Sequence, residues 1–206
     1  NHCSKMIEII SHRGICDSDE STLLGIKNCV DFGFGIELDI RINEKSLYVS
    51  HDVSKNGTSF LEICEILKNS SIRKIFHLKE TEALDKLLQT IDKYKISNFF
   101  LLSTKNNNLN TKNEFNTVAY FNKFPTFIDS KILWCDETGE KWFDKKIIST
   151  LQNHGNLFFA HSLELIQNCS MNEIKNEWDR LFDFHIDGIC TNFPKECREY
   201  LEEMEK

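Results

Sequence analysis

Nine short apolar runs recur along the chain, separated by longer stretches that carry helix signals, and this alternation constrains the fold more than any other feature. The runs are Met6–Ser11, Gly35–Ile42, Leu47–Ser50, Ile75–Leu78, Phe99–Ser103, Thr117–Phe121, Ile132–Asp136, Leu157–His161 and Gly188–Thr191. Near-continuous hydrophobicity over about five residues suits strands covered on both faces, as in a parallel sheet flanked by helices. Between the runs, Ser59-x-x-Glu62 and Ser170-x-x-Glu173 read as capping boxes leading into Leu61–Leu67 and Ile174–Phe182. Leu84, Leu87, Leu88 and Ile91 form an apolar stripe at helical spacing, and Pro194 stands where a first helical turn begins, ahead of Cys197–Met204. Leu47–Ser50 follows a turn at Asn43–Ser46 and reads as a hairpin partner, which leaves eight β/α units. Each unit needs roughly 23 residues, so eight of them fill a chain of 206. The expectation is a compact α/β fold, a (β/α)8 TIM-type barrel of parallel strands with helices outside. An open doubly wound sheet is the alternative, since a count of units does not establish closure.

Only two prolines and eight glycines interrupt the sequence, and no linker divides it, so residues 1–206 read as a single barrel domain. The Asn/Lys-rich stretch Thr104–Asn116 is the one candidate for a long loop. Lys and Arg number 25 against 32 Asp and Glu, a net charge of −7. That balance argues against nucleic acid as a partner and against stable association with an anionic membrane surface. No stretch reaches the ~18 apolar residues of a membrane span, and the N-terminal residues lack the apolar core of a signal peptide. The eight cysteines (Cys3, Cys16, Cys29, Cys64, Cys135, Cys169, Cys190 and Cys197) are scattered, with no C-x-x-C pair. They read as reduced thiols of a cytoplasmic protein, not as a disulfide framework or a zinc site.

The chemistry gathers at strand ends. In Ile36-Glu37-Leu38-Asp39-Ile40-Arg41, period-two alternation puts Glu37, Asp39 and Arg41 on one face. This is either a solvated polar face or, in a covered sheet, a carboxylate pair that needs a cation between its members. His12-Arg13-Gly14 closes the first run and His51-Asp52 closes another, while His77-x-Lys79 lies on one face of the next. The carboxyl ends of barrel strands host active sites. Together these groups suit phosphoryl chemistry. Arg13, Lys79 and a divalent cation neutralise a phosphodiester, and two histidines titrating near neutrality move protons to and from its oxygens.

Ser11-His12-Arg13-Gly14, Glu37-Leu38-Asp39, Ser50-His51-Asp52 and Asp187-Gly188-Ile189-Cys190-Thr191-Asn192-Phe193-Pro194 resemble the glycerophosphodiester phosphodiesterase family. That family belongs to the phosphatidylinositol-phospholipase C-like superfamily, and this chain resembles a short, divergent member of it. The resemblance implies a TIM barrel in which Glu37 and Asp39 ligate one divalent metal ion, Mg²⁺ or Ca²⁺. It implies His12 and His51 as the acid/base pair, with Arg13 and Lys79 on the phosphate. The implied reaction is hydrolysis of a small soluble glycerophosphodiester to glycerol phosphate and an alcohol. A lyase giving a cyclic phosphate and a non-catalytic barrel binding a phospho-ligand are the alternatives.

Two departures from the family pattern bear on the site. The family carries Glu-x-Lys where this chain has His77-Leu78-Lys79, so one ligand carboxylate is missing. His77, Asp136 and Glu164 are three open candidates for the vacant role, a weakly held metal is the alternative, and His77 would shift preference toward Mn²⁺ or another transition metal. The segment between Asp52 and Ile75 is also short where the family inserts a subdomain, which predicts an open pocket. Trp134 and Trp142 read either as walls of the pocket or as packing residues, and His161 alone among the remaining histidines falls at a strand end, from which it could reach the pocket.

Overall fold

In a computed structural model of the chain, residues 6–103 and 116–206 are described. The candidate loop at Thr104–Asn116 therefore lies, Asn116 excepted, outside the described residues. The strands are β1 (Glu8–Ser11), β2 (Gly35–Asn43), β3 (Ser46–Val49), β4 (Thr58–Ser59), β5 (Lys74–Leu78), β6 (Phe99–Ser103), β7 (Thr117–Phe121), β8 (Ile132–Cys135), β9 (Leu157–His161) and β10 (Gly188–Thr191). The helices are α1 (Leu23–Phe32), α2 (Phe60–Leu67), α3 (Leu84–Tyr94), α4 (Lys145–Asn153), α5 (Met171–Asp183) and α6 (Pro194–Met204). The strand order is β1-β10-β9-β8-β7-β6-β5-β2-β3-β4, with β1 also paired to β2. Eight of these strands are parallel and close with the helices outside, the (β/α)8 barrel expected from the alternation of runs.

Each apolar run became a strand, and Leu47–Ser50 pairs antiparallel with β2 as a hairpin, Ile40 opposite Val49 and Asn43 opposite Ser46. Six helices, not eight, appear among the described residues. Between β7 and β8 only residues 122–131 are available, too few for a helix with two loops, and Pro125 interrupts them. The Ser170 capping box forms, with Glu173 N donating to Ser170 Oγ at 3.3 Å and Ser170 N to Glu173 Oε2 at 2.7 Å. The one expected at Ser59 does not. Ser59 is paired to Tyr48 within β4, and its hydroxyl makes no capping bond to α2.

The chain divides into two compact units, Ser11–Leu109 and Asn1–Ile10 with Asn110–Lys206. In the first, Ile36, Leu38 and Ile40 of β2 are fully buried, and Phe60 packs edge-on against Phe76 at 5.5 Å. Lys74, at the start of β5, is 0 % exposed. Its ammonium donates to the carbonyls of Ser70 (2.6 Å), Ile72 (3.0 Å) and Ser97 (2.7 Å), which makes burial of the charge tolerable. In the second unit, Trp142, Phe143 and Phe158 form an aromatic core, with the Phe143 ring 5.1 Å from each of the other two. Asp187 has a structural task, as its carboxylate accepts from Phe158 N at 2.7 Å and Gln152 Nε2 at 3.1 Å. None of the seven described cysteines is in a disulfide, and six of them are buried.

Candidate active site

The site in the Ser11–Leu109 unit is built by register. β2 and β5 run parallel with Asp39 beside His77 and Glu37 beside Ile75. Alternation on β2 then sends Glu37 and Asp39 to one face, and His77 joins them from the neighbouring strand. Glu37 is 4 % and Asp39 2 % exposed. His77 Nδ1 lies 3.1 Å from Asp39 Oδ1 and 3.7 Å from Glu37 Oε1. One ligand atom from each of the three residues falls within 4.8 Å of the others, a group able to hold a metal ion.

The remaining charges arrive on β1, β5 and their connections. After β1 the chain tightens into a short 3-10 turn, His12–Gly14, in which Arg13 adopts left-handed angles (φ 53°, ψ 27°). Gly14 follows at φ 66°, where an added Cβ would stand 3.0 Å from Ile26 Cγ1 and 3.3 Å from Leu38 Cδ2, so glycine is required there. The turn aims Arg13 N at Glu37 Oε2 (3.1 Å) and sets Arg13 Nε 3.7 Å from Asp39 Oδ2. A non-glycine residue held in this region is the kind of local strain that gathers at functional sites. His12 Nε2 stands 3.9 Å from Glu37 Oε2, and Lys79 Nζ 3.9 Å from Asp39 Oδ1.

Burial opposes the charge on Asp39, yet the hydrogen bond and charge of His77, together with Lys79 and Arg13, outweigh it and hold the carboxyl below its ordinary range. His77 shows the reciprocal effect. Burial disfavours its imidazolium, while Asp39 and Glu37 prevail and raise it. Asp39 Oδ2 and Arg13 Nε are nonetheless buried without a hydrogen-bond partner. A carboxylate oxygen with no donor, beside a second carboxylate and an imidazole, is a donor set that fits a divalent cation.

His51 follows β3. Ser50 N donates to Asp39 O at 3.2 Å, which lays this strand end alongside the carboxylate pair, and His51 Nδ1 is 3.0 Å from Asp52 Oδ1. Two participants escaped the reading of the sequence. Glu20 accepts from Arg13 Nη1 at 2.6 Å, and Glu80 binds Arg41 Nη1 at 3.0 Å. Neither lies in a patterned strand, and only folding brings it to its partner.

Asp136 and Glu164 lie in the other unit, and both are engaged locally. Asp136 accepts from Tyr120 Oη (2.5 Å), Thr138 N (3.0 Å) and Thr138 Oγ1 (2.7 Å), with His161 Nδ1 at 3.3 Å. Burial raises its carboxyl, but His161, Tyr120 and Thr138 outweigh that and hold it well below the usual carboxylate range. Burial and the bond to Asp136 push the Tyr120 phenol up to about 12. Glu164 accepts from Ser162 Oγ, Thr191 Oγ1 and Asn192 N. Trp134 and Trp142 are buried.

Fold and site together define a (β/α)8 barrel carrying two carboxylates and an imidazole on adjacent strands, ringed by cationic side chains. No family model and no curated protein matches the sequence. Solved structures do. A glycerophosphodiester phosphodiesterase from Parabacteroides distasonis ATCC 8503 aligns over 97 % of this chain and 98 % of its own, at 15 % identity and a TM-score of 0.70. A candidate glycerophosphodiester phosphodiesterase from Galdieria sulphuraria aligns over 97 % and 99 %, at 17 % identity and 0.73. A glycerophosphoryl diester phosphodiesterase from the same Parabacteroides strain aligns over 99 % and 89 %, at 13 % and 0.66. At these identities the likeness establishes a shared fold.

Proposed function

We propose that this chain is a metal-dependent phosphodiesterase that hydrolyses a small, soluble, glycerophosphodiester-like substrate to a phosphomonoester and an alcohol. The observation that carries the reading is the Glu37, Asp39 and His77 cluster, with its unpartnered Asp39 oxygen, set among Arg13 and Lys79. The barrel is the fold of proteins named for this activity.

In this reading Arg13 and Lys79 bind the phosphate oxygens. One of His12 and His51 takes a proton from the attacking water, and the other gives a proton to the leaving alkoxide, so the P–O bond to the alcohol breaks as the bond to water forms. Asp52, beside His51 Nδ1, favours the tautomer that leaves Nε2 to accept a proton. A divalent cation held by Glu37, Asp39 and His77 would supply further neutralisation of the phosphodiester and polarise its phosphorus. The nitrogen donor favours Mn²⁺, Co²⁺ or Zn²⁺ over Ca²⁺.

No described helix is long and apolar enough to cross a membrane, which fits a water-soluble diester. Seven described thiols outside any disulfide support a cytoplasmic setting.

The test begins with chelator-treated protein resupplied with Mg²⁺, Ca²⁺, Mn²⁺, Co²⁺ or Zn²⁺. It is assayed against bis(4-nitrophenyl) phosphate and against glycerophosphodiesters of choline, ethanolamine and glycerol, with products followed by phosphorus NMR. A phosphomonoester is expected, and His12→Ala and His51→Ala should each lower kcat on the order of 10²–10⁴-fold. A cyclic phosphate would instead make the enzyme a lyase. Absence of turnover with every metal would leave a phospho-ligand-binding barrel, whose carboxylates are countered by the side-chain cations alone.

A further inference from the structure

Arg41 continues the face of β2 that carries Glu37 and Asp39, and a cation at such a place invites assignment to the substrate phosphate. Its bonding points elsewhere. Nε donates to the carbonyls of Ser50 (3.2 Å) and His51 (3.1 Å), and Nη2 donates to His51 O at 2.6 Å. On the other side Nη1 donates to Glu80 Oε1 at 3.0 Å, while Glu80 Oε2 accepts Ile42 N at 2.7 Å. The Arg41 side chain is only 13 % exposed. Its guanidinium thus spans two backbone carbonyls and one carboxylate, and Glu80 is itself pinned to the backbone of β2.

The segment so gripped needs a support. β3 ends at Val49, and the chain then runs without regular structure to β4 at Thr58. Asp52, Val53, Lys55 and Asn56 are exposed. Carbonyls at a loop entrance are ordinarily left to solvent; here two successive ones meet a fixed, forked, permanently charged donor.

We infer that Arg41, held by Glu80, is a positioning residue that fixes the backbone of His51 relative to the carboxylate pair on β2. Arg41 acts through His51 and makes no contact with substrate. This role rests on the proposed use of His51 as an acid/base group. Because Arg41, Asp39 and Glu37 lie on one strand, the rigid pleat of β2 sets the spacing between the carboxylate cluster and the His51 backbone. A displacement of about 1 Å in a reacting group costs on the order of 10²-fold in rate.

The test is a double-mutant cycle on Arg41→Met and His51→Ala with bis(4-nitrophenyl) phosphate, alongside hydrogen exchange of residues 50–57. Arg41→Met should lower kcat on the order of 10²-fold with KM little changed, and speed exchange at those residues. In the His51→Ala background the same substitution should leave kcat unchanged, since no imidazole remains to position. Arg41→Lys, which keeps the charge but loses the fork, should recover part of the loss, and Glu80→Gln should give a smaller loss of the same kind. An equal Arg41→Met factor in both backgrounds overturns the inference, because destabilisation alone acts equally in each; so does unchanged exchange. A His51→Ala enzyme of wild-type rate, or a wild-type chain without turnover, overturns the activity reading and the role that depends on it. In those two cases the exchange data still report whether Arg41 holds the loop, so the two failures are distinguishable.

Discussion

Two carboxylates two residues apart on a buried strand repel each other, and the side chains around Glu37 and Asp39 show how the fold answers that repulsion. His77 is shared between them, Lys79 approaches Asp39, and Arg13 touches Glu37 through its backbone N–H and Asp39 through its guanidinium. That arrangement still leaves Asp39 Oδ2 without a donor, which is why a cation is the natural completion of the cluster. In the proposed metal site the nitrogen donor would set the metal preference. Wild-type protein freed of metal should bind Mn²⁺ or Zn²⁺ more tightly than Ca²⁺. His77→Glu should turn the set into three carboxylates and lower the Mn²⁺-to-Ca²⁺ affinity ratio by on the order of tenfold or more. Competition calorimetry checks this, and an unchanged ratio would remove His77 from the ligand set. The His77 position was readable in advance because a strand's period fixes which residues share a face. The task of Arg41 was not, because alternation says which way a side chain leaves the strand and nothing about the remote carbonyls of Ser50 and His51 that receive it.

Strands and their connections carry a second kind of consequence. β5 begins one residue before the apolar run that announced it, because Lys74 is buried in the strand under three carbonyls. Sequence pattern places a lysine at a strand's wet end. Only the approach of Ser97, 23 residues away, makes the buried position tenable. Lys74→Met should therefore orphan three acceptors and cost about 3 kcal/mol, read from the urea midpoint. The two-residue β4 and the lost Ser59 cap share one cause, since Ser59 is claimed by pairing with Tyr48 before it can close a helix. The Ser170 box has no competing strand and forms as read. The Asp136 cluster joins β7, β9 and the end of β8. Its carboxyl is held low by His161, Tyr120 and Thr138 against the effect of burial. A carboxyl depressed by folding stabilises the protein above its unfolded value near ~4 and loses that contribution as pH falls through the folded value. Asp136→Asn should accordingly be less stable by about 2 kcal/mol at pH 7. The gap from wild type should narrow as the pH is taken below ~4. A gap that persists undiminished at pH 2 would show that the cluster is held by shape and not by charge.

For the molecule as a whole, a net charge of −7 and a cationic ring around one carboxylate cluster describe different distances. Over a Debye length of about 8 Å the global excess is screened, whereas Arg13 and Lys79 act within contact range of the site. Stability offers a reading of that site independent of catalysis. Any ion that binds the folded chain and not the unfolded one raises stability by RT ln(1 + [L]/Kd), about 2.7 kcal/mol at a hundredfold excess over Kd. For a chain near 200 residues, that corresponds to a rise in Tm of roughly 5–10 °C. The wild-type protein should show this shift on titration with Mn²⁺. Glu37→Gln should show little of it, although the neutral isostere removes one carboxylate repulsion and need not lower Tm in chelator. If Mn²⁺ raised both proteins equally, the ion would be acting at some other place, and the carboxylate pair would be a structural ion-pair network satisfied by Arg13, His77 and Lys79. If it raised the wild type alone, the cluster on β2 and β5 would be a metal site whether or not the right diester had been found.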